Sequence, residues 1–106
     1  MHDFEVIHPG SVFGTKLKFT EDKFSGYICL QDKTIWISAI MSVNPGKGNL
    51  TRLFNRILKL GYEIKVPSPF PKMEEIVKAK GFVKTREHWE RVGEDIDVWV
   101  KECKHE

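Results

Sequence analysis

The sequence predicts an α/β fold of the α+β kind: a mixed, mostly antiparallel twisted sheet with a central β-α-β unit and two helices. Three observations lead there. Residues 24–30 and 34–43 are β-rich runs on either side of Gln31-Asp32-Lys33, the pattern of a hairpin. Leu50, Leu53, Phe54, Ile57 and Leu58 then fall at i, i+3, i+4, i+7 and i+8, one apolar stripe of a helix. Tyr62, Ile64 and Val66 alternate with Glu63 and Lys65 and restore the strand period. A strand, a helix and a strand in that order give parallel neighbours and a right-handed crossover.

The remaining elements follow in chain order. Residues 4–7 form a short strand ended by His8-Pro9-Gly10, and residues 11–14 read as a loop. Residues 15–19 are expected to be a second strand with Leu17 and Phe19 on one face. The helix over 50–58 ends at Gly61, and its Arg56 and Lys59 suit the negative end of its dipole. Pro67, Pro69 and Pro71 stiffen the next loop, and Pro71 fits the first position of a second helix. Met73, Ile76 and Val77 are its inner face, and Gly81 closes it. Residues 82–86 and 96–101 make a closing pair of strands around the turn Arg91-Val92-Gly93-Glu94-Asp95.

At 106 residues the chain fits one domain, over residues 1–106, with a net charge of +2 and 41% hydrophobic residues. The longest apolar run, residues 35–43, is too short to span a bilayer, and the first ten residues do not read as a signal peptide, so a cytoplasmic location is expected. Cys29 and Cys103 lack zinc-ligand spacing, and no metal is expected; Cys29 reads as a small buried strand residue. The histidines, His2, His8, His88 and His105, are scattered. Trp36, Trp89 and Trp99 are read as sheet packing, with an exposed patch as the other reading for Trp89 and Trp99.

The segment joining the first long strand to the helix holds Gly46-Lys47-Gly48. The first turn of a helix leaves backbone N–H groups unpaired, and the dipole favours negative charge there. Glycines let that backbone approach a ligand, so the turn is a candidate phosphate or pyrophosphate cradle with Lys47 at its rim. A plain strand-to-helix turn is the other reading. Thr51 breaks the dinucleotide fingerprint, and no lysine followed by Ser or Thr completes a P-loop.

Residues 24–82 resemble the GNAT family of N-acetyltransferases, in particular its short bacterial and phage members. The residues that carry the resemblance are the turn Pro45-Gly46-Lys47-Gly48-Asn49-Leu50, the Gly81-Phe82 pair after the second helix, and the segment from Val66 to Phe82. The resemblance implies an acetyl-CoA-dependent enzyme that transfers an acetyl group to an amine, by direct attack and without an enzyme nucleophile. It implies that Gly46, Lys47, Gly48, Asn49 and Leu50 hold the pyrophosphate, and that the backbone of Met41, Ser42 and Val43 pairs with the pantetheine arm. A gap between splayed parallel strands would admit the thioester. Catalysis would be chiefly positioning, with a backbone N–H polarising the carbonyl.

Family members often place a tyrosine acid where Val77 stands, which leaves Tyr62 and Ser68 as candidates and the catalytic side chains otherwise unassigned. Pro45 replaces the usual Arg or Gln, and Leu50 replaces a small residue. The two front helices of the family are shortened or missing, since only residues 8–14 are available for them. These departures keep a second reading open, a non-catalytic GNAT-like binding or interaction module. The shortened fold and three tryptophans are compatible with a homodimer. A nucleic-acid binder is disfavoured by acids such as Glu74, Glu75 and Glu87 among the bases, and no membrane partner is expected.

Overall fold

A computed structural model of the chain describes residues 4–44, 46–89 and 93–102. Pro45, His2, His105, Cys103 and the Arg91-Val92 part of the last turn lie outside the described residues. The elements run β1 (Glu5–Ile7), α1 (Val12–Lys16), β2 (Phe24–Gln31), β3 (Thr34–Ser42), α2 (Asn49–Lys59), β4 (Glu63–Pro67), α3 (Pro71–Ala79), β5 (Val83–Trp89) and β6 (Glu94–Lys101). They build one mixed α+β sheet in the order β1-β2-β3-β4-β6-β5. Each neighbouring pair is antiparallel except β3 with β4, which is parallel as the β-α-β order requires.

The front of the chain departs from the expectation. Residues 11–14 were expected to be a loop and 15–19 a strand; Val12–Lys16 is instead a short helix. Ser11 caps it, its hydroxyl oxygen accepting from the Gly14 N–H at 3.1 Å. Lys18 then takes φ +67°, and the Phe19 N–H donates to the Gly14 carbonyl at 2.8 Å. Leu17 and Phe19 are fully buried, so their apolar character was read correctly while their backbone was not. Two core residues two apart can point the same way through a left-handed turn as well as through a strand. Gly14 is needed at this corner, because a Cβ there would lie 2.8 Å from the His8 carbonyl oxygen and 3.0 Å from that of Phe19.

The helices share one face of the sheet. Leu53, Phe54 and Ile57 of α2, Val77 of α3, and Leu17 and Phe19 after α1 join a single core with Ile35, Ile64 and Val66. The Phe54 and Phe82 rings pack at 5.2 Å between centroids, tying α2 to the end of α3. Arg56 is not a free cation of the helix surface: its Nε donates to the Lys16 carbonyl at 2.9 Å and fastens α2 to α1. Met73 and Ile76 sit at the core margin, as their helical spacing predicts.

Among the described residues the opposite face carries no helix. There an aromatic strip crosses the strands, with Trp36 against Phe4 at 6.0 Å and against Trp89 at 5.5 Å. Cys29 lies on this side and is half-buried, not buried as its strand position suggested.

Candidate functional site

The ladder between β3 and β4 is short. It pairs Thr34 with Glu63, Ile35 with Ile64 and Trp36 with Lys65, and stops there. Beyond that point β3 continues to Ser42, paired with β2 alone, while β4 turns to β6. The two parallel strands therefore form a fork.

A β-bulge lies just past the point of divergence. Tyr27 faces Ala39 and Cys29 faces Trp36, so Ile37 and Ser38 together oppose Ile28. The extra residue changes the parity of β3. Ile37 and Ile40, three apart, consequently line the same cleft, which strict alternation would forbid. The facing wall is Val66, Pro67, Ser68, Pro69 and Phe70, with Met73 of α3 behind it. The cleft measures about 60 Å³, room for a small group, not for a whole nucleotide. Among the described residues that line it, Ser68 supplies the one polar side chain. Its backbone takes φ +39°, and its N–H donates to the Asp97 carbonyl at 2.8 Å, which fixes the loop.

The arm formed by β3 leads directly to the glycine turn. Met41 and Ser42 end the strand, and the Val43 N–H donates to the Lys23 carbonyl at 2.8 Å. Gly46 and Gly48 take φ +85° and +78°, and Gly48 is the N-cap of α2. Glycine brings no side chain to accept from the first-turn N–H groups of Asn49 and Leu50. α2 has no acidic residue in its first turn to oppose an anion. Gly46, Lys47 and Gly48 are exposed, and a Cβ on Gly46 would meet nothing within 4 Å. Arg52 reaches back over the turn, its guanidinium donating to the Lys47 carbonyl at 3.1 Å and to Asn49 Oδ1 at 3.0 Å. The turn is thus basic, open and held in shape by a side chain one helical turn away.

Comparison with known protein families, characterised proteins and solved structures finds no match.

The fold brings together some of the residues singled out in the sequence and not others. Met41 to Leu50 run consecutively along one arm and its turn, apart from Pro45, which is outside the described residues. Ser68 is on the opposite wall of the fork. Tyr62 is at the closed end: it precedes β4, packs edge-on to Phe13 at 5.7 Å and lies under Lys33 at 5.7 Å, about four strand residues, or roughly 13 Å, from Val66. It lines no part of the cleft. The cleft wall itself went unassigned, although Pro67, Pro69 and Pro71 signalled a rigid segment there. The bulged residues Ile37 and Ser38 include no glycine, but Gly26 on the facing strand, at φ +96°, stands beside the shift in register. Among the described residues no group of three or more His, Cys, Asp and Glu side chains is placed to share a metal ion, and no helix is long and apolar enough to cross a membrane.

Proposed function

We propose that this chain is a GNAT-like, acetyl-CoA-dependent N-acyltransferase of minimal size. The observation that carries the proposal is the fork: parallel strands that part after three residue pairs, with a bulge at the branch and a glycine turn at the end of one arm. The turn from Gly46 to Leu50 fits a pyrophosphate, being exposed, free of acids in the following helical turn and flanked by Lys47 and Arg52. The apolar walls of the cleft fit a small acyl thioester, and its size suits an acetyl group better than a long chain. The thioester supplies the activated acyl carbon. The chain's part is to position it: β3 presents backbone along the fork, the bulge turns a peptide group out of the ladder, and the apolar walls exclude water. The acceptor amine attacks the carbonyl carbon, the C–S bond breaks, and the proton released by the amine goes to the departing thiolate. Among the described residues the Ser68 hydroxyl is the cleft group that relays it, giving its proton to the thiolate as it takes the amine's. The acceptor belongs on the side where the front helices are reduced to the five residues of α1.

The second reading, a non-catalytic binding or interaction module, is favoured by one observation: among the described residues the cleft walls hold no carboxylate, histidine or cysteine to move a proton. Calorimetric titration with acetyl-CoA, CoA and ATP separates the possibilities. Micromolar binding of both CoA compounds, with none of ATP, supports the cradle; absence of CoA binding defeats the acyltransferase and leaves the interaction module. Gly48→Val places a branched side chain at φ +78°, where it costs about 1–3 kcal/mol and displaces the turn backbone. That variant should remain folded and lose CoA binding. Acetyl transfer to a panel of amines above background then decides for the enzyme over the module.

A further inference from the structure

The fold sorts the charges of this chain. Residues 12–19 and 33–62 hold seven lysines and arginines and no aspartate or glutamate. Of the 17 bases and 15 acids, that leaves ten bases against fifteen acids for the rest of the chain. The two acid-free stretches contain α1 and α2, which lie side by side, since the Arg56 guanidinium donates to the Lys16 carbonyl at 2.9 Å. The acids that weigh against a nucleic-acid partner in the sequence are elsewhere. Glu74 and Glu75 are on α3, and Glu87 is on β5, paired with Lys65.

Arg52, Arg56 and Lys59 stand at i, i+4 and i+7, one line along α2. The core takes Leu53, Phe54 and Ile57, so this line faces outward. Arg52 and Lys59 are exposed and Arg56 is half-buried. Exposed Lys47 extends the line past the start of α2, and exposed Lys16 lies beside Arg56. Among the described residues the ion pairs all fall on β4, β5 and β6, and none includes these five cations. The bonds that orient Arg52 and Arg56 go to neutral oxygens of Lys47, Asn49 and Lys16. They fix the guanidinium groups and leave their charge uncompensated. Like charges one turn apart repel, a cost that a polyanion would remove.

A row of cations at one-turn intervals suits a partner whose charges also repeat. A nucleic-acid backbone carries a phosphate about every 3.4 Å along each strand, and the guanidinium fork fits phosphate oxygens in pairs. A membrane surface calls for an apolar face among the bases. Here Asn55 faces outward between them, and the exposed Val12 and Leu60 stand apart, at the start of α1 and just past the end of α2.

We infer that the α1–α2 surface binds nucleic acid through its phosphate backbone, without reading sequence. Lys16 and Lys59 lie outside the glycine turn, Lys59 about 16 Å from Gly48 along α2, so the inference stands independently of the acyltransferase reading.

Fluorescence anisotropy of the whole chain with two short labelled DNA duplexes of unrelated sequence tests this. Both should bind equally, with Kd in the micromolar range at about 50 mM salt. Five cations predict a log–log salt slope of roughly −4 to −5, a loss of several hundredfold by about 200 mM. Lys16→Gln combined with Lys59→Gln should make the slope shallower by about 2 and weaken binding about tenfold or more at low salt. Lys59→Gln alone, with a change of about 1, decides if the pair does not fold. Lys72→Gln combined with Lys78→Gln removes the same charge from α3 and should leave binding unchanged. Absence of binding at low salt overturns the inference, as does a slope no steeper than about −1. Equal losses from the two pairs overturn it too, because net charge and not this surface would then hold the duplex. So does binding to phosphatidylserine vesicles with none to either duplex, which would give the surface to a membrane.

Discussion

Trp36 and Lys65 are the last partners in the parallel ladder of β3 and β4, and on the bare face the Lys65 ammonium lies 5.1 Å from the centre of the Trp36 ring. The same ammonium is 2.9 Å from the Glu87 carboxylate. The branch point of the fork is therefore braced from below by a cation held between an indole and an acid. Lys65 contributes its stem to packing and its charge to two partners, whereas Glu87 contributes one ion pair.

Lys65→Ala should therefore destabilise the chain by about 1–2 kcal/mol, and Glu87→Ala by no more than about 1 kcal/mol. Urea unfolding of both variants checks the order. Equal losses would mean that the ion pair, not the indole contact, holds Lys65 in place.

The corner after α1 makes a sharper prediction. Gly14→Ala drives a methyl group to 2.8 Å from one backbone carbonyl oxygen and 3.0 Å from another. Neither oxygen is the end of a flexible side chain, so the corner must move, at a cost of about 1–3 kcal/mol. Gly46→Ala, where the Cβ meets open space but φ is +85°, should cost only about 1 kcal/mol. Thermal melts of the two variants compare crowding with backbone strain directly.

Asp22 responds to pH through a local bond. The Thr20 hydroxyl donates to its carboxylate and holds its pKa below the ordinary 3.8. The folded state thus releases this proton more readily than the unfolded one. Its contribution to stability is complete above pH 3.8 and disappears as the pH falls through the lowered value. In Thr20→Val the Asp22 carboxyl, followed by NMR titration, should move up toward 3.8. An unchanged midpoint would assign the shift to another group.

Much of this architecture was legible because its signals are local and periodic. The stripe from Leu50 to Leu58 became α2, and the alternation at Ile64 and Val66 became the parallel strand beside β3. Pro71 opens α3 as its fixed φ allows. Failures came where period carries no information. Five residues are too few to display a helical repeat, so α1 was missed and the buried pair Leu17 and Phe19 was taken for a strand. For the site, Gly48 and its left-handed backbone could be read from the residue itself, since only glycine takes φ +78° freely. The cleft could not be, because Ile37 and Ile40 share a wall only through a bulge set by pairing with β2.

The shortness of the β3–β4 ladder also bears on how the chain assembles. β1, β2 and β3 come from residues 5–42, and β4, β5 and β6 from residues 63–101. The sheet is thus two consecutive stretches of chain, each closing its own hydrogen bonds, sewn together by a seam three residue pairs long. α2 lies across that seam, touching β3 and β4, and is the clasp that shuts it. Each stretch gathers its contacts at small sequence separation, which keeps the entropy of loop closure low and leaves docking under α2 as the late step of folding. The Glu63 amide proton donates across that seam to the Lys33 carbonyl, so its exchange reports the parting of the halves, an event distinct from the melting of either one.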